Sequence, residues 1–121
     1  MDFTNLFKEF LDTQGCYYGV NVGELLKILV QHRGKKNPVT SADMGKALDV
    51  SPVAVRMAIH KIVTVYALPV ISSPRGYYVP ANIHEVHEYI KREEKRQKTA
   101  AANVNSAKIA VNLWFGGDWN A

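Results

Sequence analysis

Val53, Arg56, Met57 and His60 fall at i, i+3, i+4 and i+7, the spacing of one face of a helix. A guanidinium offers five N–H donors in a planar fork, and an imidazole offers a donor and an acceptor. Arg56 and His60 therefore suit hydrogen bonding to a flat acceptor edge, while Val53 and Met57 suit apolar contact. This is recognition chemistry, in which no bond is made or broken. Bond-making patterns are lacking in the sequence: there is no phosphate-cradling glycine loop, no Cys-x-x-Cys and no Gly-x-Ser-x-Gly. His84 and His87, with Glu85 and Glu88 beside them, lack an obvious third ligand and are expected to face solvent. Ser51, Cys16 and His60 have no evident base or orienting partner. The expectation is a non-catalytic protein with no metal and no other cofactor.

The elements that must carry these residues follow from the same periodicity. Val55, Ala58, Ile59 and Ile62 repeat the spacing on the opposite side, so 52–62 is expected to be a helix with one face for a core, continuing to about residue 66. Ser51 supplies its N-cap and Pro52 its first position. Upstream, Thr40 followed by Asp43 predicts a capped helix ending at Leu48, with Met44, Ala47 and Leu48 inward, joined to the next helix by the turn 49–51. Gly45 costs about 1 kcal/mol against alanine in a helix interior, and a small residue there would let the two helices approach. Downstream, 69–72 and 77–79 are rich in strand formers, and Ser73-Pro74-Arg75-Gly76 between them predicts a tight turn with Arg75 at its tip.

Helix, turn, helix, hairpin is the order of a winged helix-turn-helix. The run TSADMGKALDVSPVAVRMAIHKI resembles the helix-turn-helix signature T-x-x-x-h-A-x-x-L-G-V-S-x-x-T-V-x-x-x-I, with Met44, Gly45, Leu48, Val50, Val55 and Ile59 in the patterned positions. It departs from it in Gly45 for alanine and in Asp49 for the turn glycine, and aspartate tolerates a left-handed backbone better than most residues. With VISSPRGYYVP directly after it, the stretch 22–80 is similar to small winged-helix proteins of bacteriophages and other mobile elements. The resemblance implies double-stranded DNA binding, by a transcriptional regulator or by a replication or recombination accessory factor. Val53, Arg56, Met57 and His60 would then meet base edges in the major groove. Lys35, Lys36, Lys46, Ser51, Lys61, Ser73 and Arg75 would meet the backbone or, through the 72–77 wing, the minor groove. The alternative is a winged-helix protein–protein interaction module that does not bind DNA.

Charge placement agrees with a polyanionic partner. The net charge of +4 and pI near 9.2 are moderate, but residues 27–75 hold eight basic side chains against two acidic ones, a balance of +6, and the remainder holds seven against nine. With 121 residues, 47% apolar and 21% charged, the chain suits one globular domain with extensions. Its single cysteine, Cys16, excludes an intramolecular disulfide. No uncharged run approaches the roughly 18 residues of a spanning helix, and the start MDFTNLFKEF does not read as a signal peptide. A cytoplasmic protein of a bacterial or phage-infected cell, with no membrane contact, is expected.

The fold class expected is therefore mainly α with a small β-hairpin wing, with boundaries at 1–19, 20–80 and 81–121. Phe3, Leu6, Phe7 and Phe10 predict a short amphipathic helix over 2–11 that docks on the core or at a subunit interface, followed by a loop over 13–19. Leu25, Leu26, Ile28 and Leu29 predict a helix over 22–32, closed by the basic loop containing Arg33, Lys35 and Lys36. Beyond Pro80, steps of three and four from Ile83 through Val86, Ile90, Glu93, Gln97, Ala100, Val104, Ala107 and Val111 to Trp114 predict a long helix with a heptad-like seam, bent or broken near 98–105. Its charge block KREEKRQK reads as a solvated face. Phe3, Phe7, Phe10, Val104, Val111, Trp114, Phe115 and Trp119 are the expected contacts of a homodimer or higher oligomer, or of a protein partner at the aromatic tail.

Overall fold

The structure, a computed structural model, describes residues 7–114, excepting the side chains of residues 106, 107 and 110–114. Phe3, Phe115 and Trp119, and the side chains of Val111 and Trp114, lie outside the described residues. The chain divides into two compact units, Met1–Val86 and His87–Ala121. What is described is mainly helical, with a small antiparallel hairpin between the helices.

Within the first unit, Asn21 caps helix α1 (Val22–Leu29) by accepting the Glu24 N–H at 2.9 Å, and Val22, Leu25, Leu26 and Leu29 are buried on one face. The helix stops three residues short of the expected end. Gln31 and His32 donate to Ile28 and Leu29, the tighter i→i−3 pattern of a closing turn. Before it, the expected loop holds a two-strand ribbon, β1 (Cys16–Tyr17) with β2 (Val20–Asn21). Its two turn residues, Tyr18 and Gly19, both have positive φ, the conformation that matches the twist of a two-residue hairpin. Tyr18 is an unusual residue to find there, which is why the sequence signals no turn.

Helix α2 (Ser41–Leu48) and helix α3 (Pro52–Tyr66) follow, each opened by the hydroxyl expected to cap it: Thr40 accepts from Asp43 N–H and Ser51 from Ala54 N–H, both at 3.1 Å. Met44, Val55, Ala58, Ile59 and Ile62 join the α1 side chains, Phe7, Leu68, Val70 and Val79 in one core. Ala47, expected inward, is exposed, while Leu48 packs partly against the core. Of the two places expected for Phe7, the core or a subunit interface, the structure puts it in the core, fully buried, and Phe10 lies half-buried against Tyr66 with ring centroids 4.8 Å apart.

The second ribbon pairs β3 (Ile71–Ser73) with β4 (Gly76–Tyr78) in the register Ile71↔Tyr78, Ser72↔Tyr77, Ser73↔Gly76. Pairing begins only at Ile71, because Pro69 has no N–H and the Val70 N–H is taken by Leu68 O. On its other edge β4 is held by Val39, through two 2.8 Å bonds with Tyr77, and by a parallel bridge from Arg33 to Val79.

Helix α4 (Ile83–Trp114) runs unbroken through 98–105, where a bend or break was expected. Ala100-Ala101-Ala102 is a run of the best helix former, and the hydroxyl of Thr99, a poorer one, is accommodated by donating to the Lys95 carbonyl at 3.1 Å. Its first turn belongs to the first unit: Glu85 is buried and Val86 packs on the core. Within the second unit Ile90, Val104 and Ile109 of α4 are exposed.

Candidate nucleic-acid interface

The exposed face of α3 is set by the other face. With Val55, Ala58, Ile59 and Ile62 at 3% exposure or less, the half-turn offset leaves Val53 at 53% and Met57 at 44%, with Arg56 and His60 exposed beside them. The four residues expected to form one recognition surface are thus brought together on it. Arg56 is further placed by a partner that the sequence did not signal. Its Nη1 donates to the Ser41 hydroxyl at 3.2 Å, tying the guanidinium to the first residue of α2 and using one of its five donors.

The separation of α2 and α3 rests on residues 45 and 49. A Cβ at Gly45 would stand 2.7 Å from the Val50 carbonyl oxygen, closer than side chains tolerate, so only glycine permits this approach. Asp49 takes the left-handed conformation, φ 57 and ψ 48, and its N–H caps the helix at Gly45 O. Lys46 and Ser51 share a shallow groove at this turn with Ala42 and Asp49. The Ser51 oxygen accepts from Ala54 N–H and keeps its own proton to donate, whereas the Asp49 carboxylate in the same groove opposes an anion.

The remaining backbone candidates separate into three groups. Lys35 and Lys36 are exposed on a loop that is anchored at its base: Glu85 Oε2 accepts the Lys35 N–H at 3.0 Å, Glu85 Oε1 accepts the Ala81 N–H at 2.7 Å, and Arg33 Nη2 donates to Ala81 O at 3.2 Å. Asn82 caps the helix by accepting the Glu85 N–H at 3.1 Å. Asn82-x-x-Glu85 has the spacing of a capping box, but the Glu85 carboxylate takes the N–H of Ala81 rather than that of Asn82. Lys61, in contrast, stands 6.0 Å over the Tyr17 ring, on the flank of α3 that faces β1. That flank is closed by Tyr17, whose hydroxyl shares a hydrogen bond with that of Tyr66 at 3.4 Å, which holds the Tyr66 proton when Tyr66 is the donor. This hydrogen bond, ahead of burial and the charge of Tyr17, raises the Tyr66 pKa above its ordinary value.

At the β3–β4 turn Arg75 is exposed at the tip, and Gly76, with φ 131, admits the Val39 carbonyl to 2.6 Å from where a Cβ would be. Ser73 does not serve as a phosphate donor in this arrangement. Its one hydroxyl proton goes to Gly76 O at 2.9 Å and its oxygen accepts from Arg75 N–H at 3.3 Å, so the side chain holds the turn that presents Arg75.

No described helix is long and apolar enough to cross a membrane. Comparison with known proteins finds no matching family model, no matching curated protein and no matching solved structure.

Proposed function

We propose that residues 20–80 form a winged helix-turn-helix that binds double-stranded DNA, with α3 in the major groove and the β3–β4 wing on the backbone or in the adjacent minor groove. The observation that carries this reading is the exposed face of α3, on which Arg56 and His60 flank Val53 and Met57, opposite a face that is fully used by the core. Arg56 matches a guanine edge by two hydrogen bonds, and Met57 or Val53 a thymine methyl. Lys35, Lys36, Lys46, Ser51 and Arg75 supply phosphate contacts; Lys61 contributes from the flank beside Tyr17. A single module of this kind makes few base contacts, so sequence preference calls for a second copy and a paired half-site. The biological role that fits is regulation of transcription, or assistance in replication or recombination, in a phage or prokaryotic cell.

The test is fluorescence anisotropy of the full chain on duplex DNA of random sequence and on duplex flanking its own gene, across a salt series. Affinity should fall steeply with salt, and Arg56→Ala should cost about 1–3 kcal/mol on the preferred site while leaving random duplex nearly unchanged. The exposed Val53 and Met57 favour one competing reading, a protein-interaction surface. Absence of duplex binding at low salt would establish that reading in place of the first.

A further inference from the structure

The unbroken course of α4 gives the charge block at 91–98 a geometry that its sequence alone does not have. At about 100° per residue, Lys91, Arg92, Lys95, Arg96 and Lys98 fall within an arc of about 160°, and all five are exposed. The two acids of the block, Glu93 and Glu94, fall outside that arc, on either side of it. Glu93 is half-buried and paired with Arg96 at 3.0 Å and Arg92 at 3.9 Å, which draws the two arginines toward one edge. Lys91, Lys95 and Lys98 remain as a stripe at i, i+4, i+7. Opposite charges stand three and four residues apart at Glu88–Lys91, Glu88–Arg92, Lys91–Glu94, Glu93–Arg96 and Glu94–Lys98, with the exposed Glu88 opening the arc one turn before the lysines; within the arc itself Lys91–Lys95, Arg92–Lys95, Arg92–Arg96 and Lys95–Lys98 are like-charge neighbours, each mildly destabilising on its own. A polyanion lying along the arc would relieve all four repulsions.

We propose that this face of α4 is a second phosphate-contacting surface for nucleic acid, outside the helix-turn-helix. The proposal takes its partner from the DNA-binding reading above. The lysine stripe rises about 10 Å along the helix, a length over which a duplex presents about six phosphate charges. The asparagine and threonine that continue the arc, Asn103 and Thr99, are uncharged and exposed. An anionic membrane is the weaker partner, because the opposite side of α4 is interrupted by Glu93 and Gln97 and offers no continuous apolar face to insert.

The experiment replaces Lys91, Lys95 and Lys98 together by glutamine, a residue of near-equal helix propensity, in the full chain. Far-UV circular dichroism confirms that the helix is retained. On random duplex the slope of log affinity against log salt should become shallower by about 2.7, so that over a fourfold rise in salt the wild type loses about 40-fold more affinity than the variant. The ratio of preferred to random affinity should not change. Arg56→Ala, measured in parallel, should do the reverse. An unchanged slope in the triple variant together with lost preference in Arg56→Ala would overturn this proposal and leave the α3 reading standing. A shallower slope with no effect of Arg56→Ala would keep the α4 surface and remove the α3 reading. Loss of binding to phosphatidylserine vesicles with an unchanged slope on DNA would assign the stripe to a lipid surface and overturn the proposal.

Discussion

Helices α3 and α4 both carry apolar residues at helical spacing, yet α3 buries Val55, Ala58, Ile59 and Ile62 almost completely while α4 leaves Ile90, Val104 and Ile109 about half exposed. The α4 series is broken by Glu93 and Gln97, whereas that of α3 is apolar throughout. The two helices differ also in what the chain does on either side of them. Around α3, two turns and a bridge bring α2, Leu68, Val70 and Val79 against the stripe. Residues 87–109 of α4 have no turn, proline or glycine within them to bring another element round. Periodicity thus says which side of a helix is apolar, and the turns decide whether that side finds a core.

The comparison breaks most readily at α3. Ile62→Ala empties a fully buried site and should cost about 2–5 kcal/mol in urea unfolding; a loss near zero would mean the α3 stripe is no better packed than that of α4. Gly45→Ala comes next. In an ordinary helix interior it would stabilise by about 1 kcal/mol, but the new Cβ would press on the Val50 carbonyl, so a net loss of about 1–3 kcal/mol is expected. A gain would show that α2 and α3 can part without penalty. On α4, Ile90→Ala should change stability by less than about 0.5 kcal/mol, and a larger loss would reveal a partner covering that face. The smallest effect is spectroscopic. Tyr66 should ionise above 10.0 in the folded chain, and Tyr17→Phe, by removing the principal cause, should bring it back toward that value in an absorbance titration. Because the raised folded value favours the neutral phenol, its contribution to stability is complete below pH 10 and is lost as pH rises through the folded pKa.

Much of the helical unit was legible in the sequence for local reasons. Thr40, Ser51 and Pro52 mark helix starts through bonds made within three residues, and Asp49 marks a turn through its own backbone conformation. The two faces of α3 follow from spacing alone. What escaped depends on residues distant in sequence. Ser41 meets Arg56 from 15 positions away and Glu85 meets Lys35 from 50, and no periodicity reports such pairs. Phe7 shows a related limit: an aromatic stripe has the same pattern whether it packs inward, as here, or against another subunit. Ser73 shows the limit for the candidate site itself, since its residue type suits a phosphate contact and only its bond to Gly76 shows the proton already in use.

The Glu85 carboxylate, which receives one backbone N–H from the 33–37 loop and another from Ala81, ties these two segments into a single cooperative unit without a covalent link. Neither segment can open without leaving a partner of that carboxylate unsatisfied, so local fluctuations of the basic loop and of the first turn of α4 are coupled. In hydrogen–deuterium exchange the amides of Lys35 and Ala81 are accordingly expected to exchange through one shared opening event, and Glu85→Ala to speed both together.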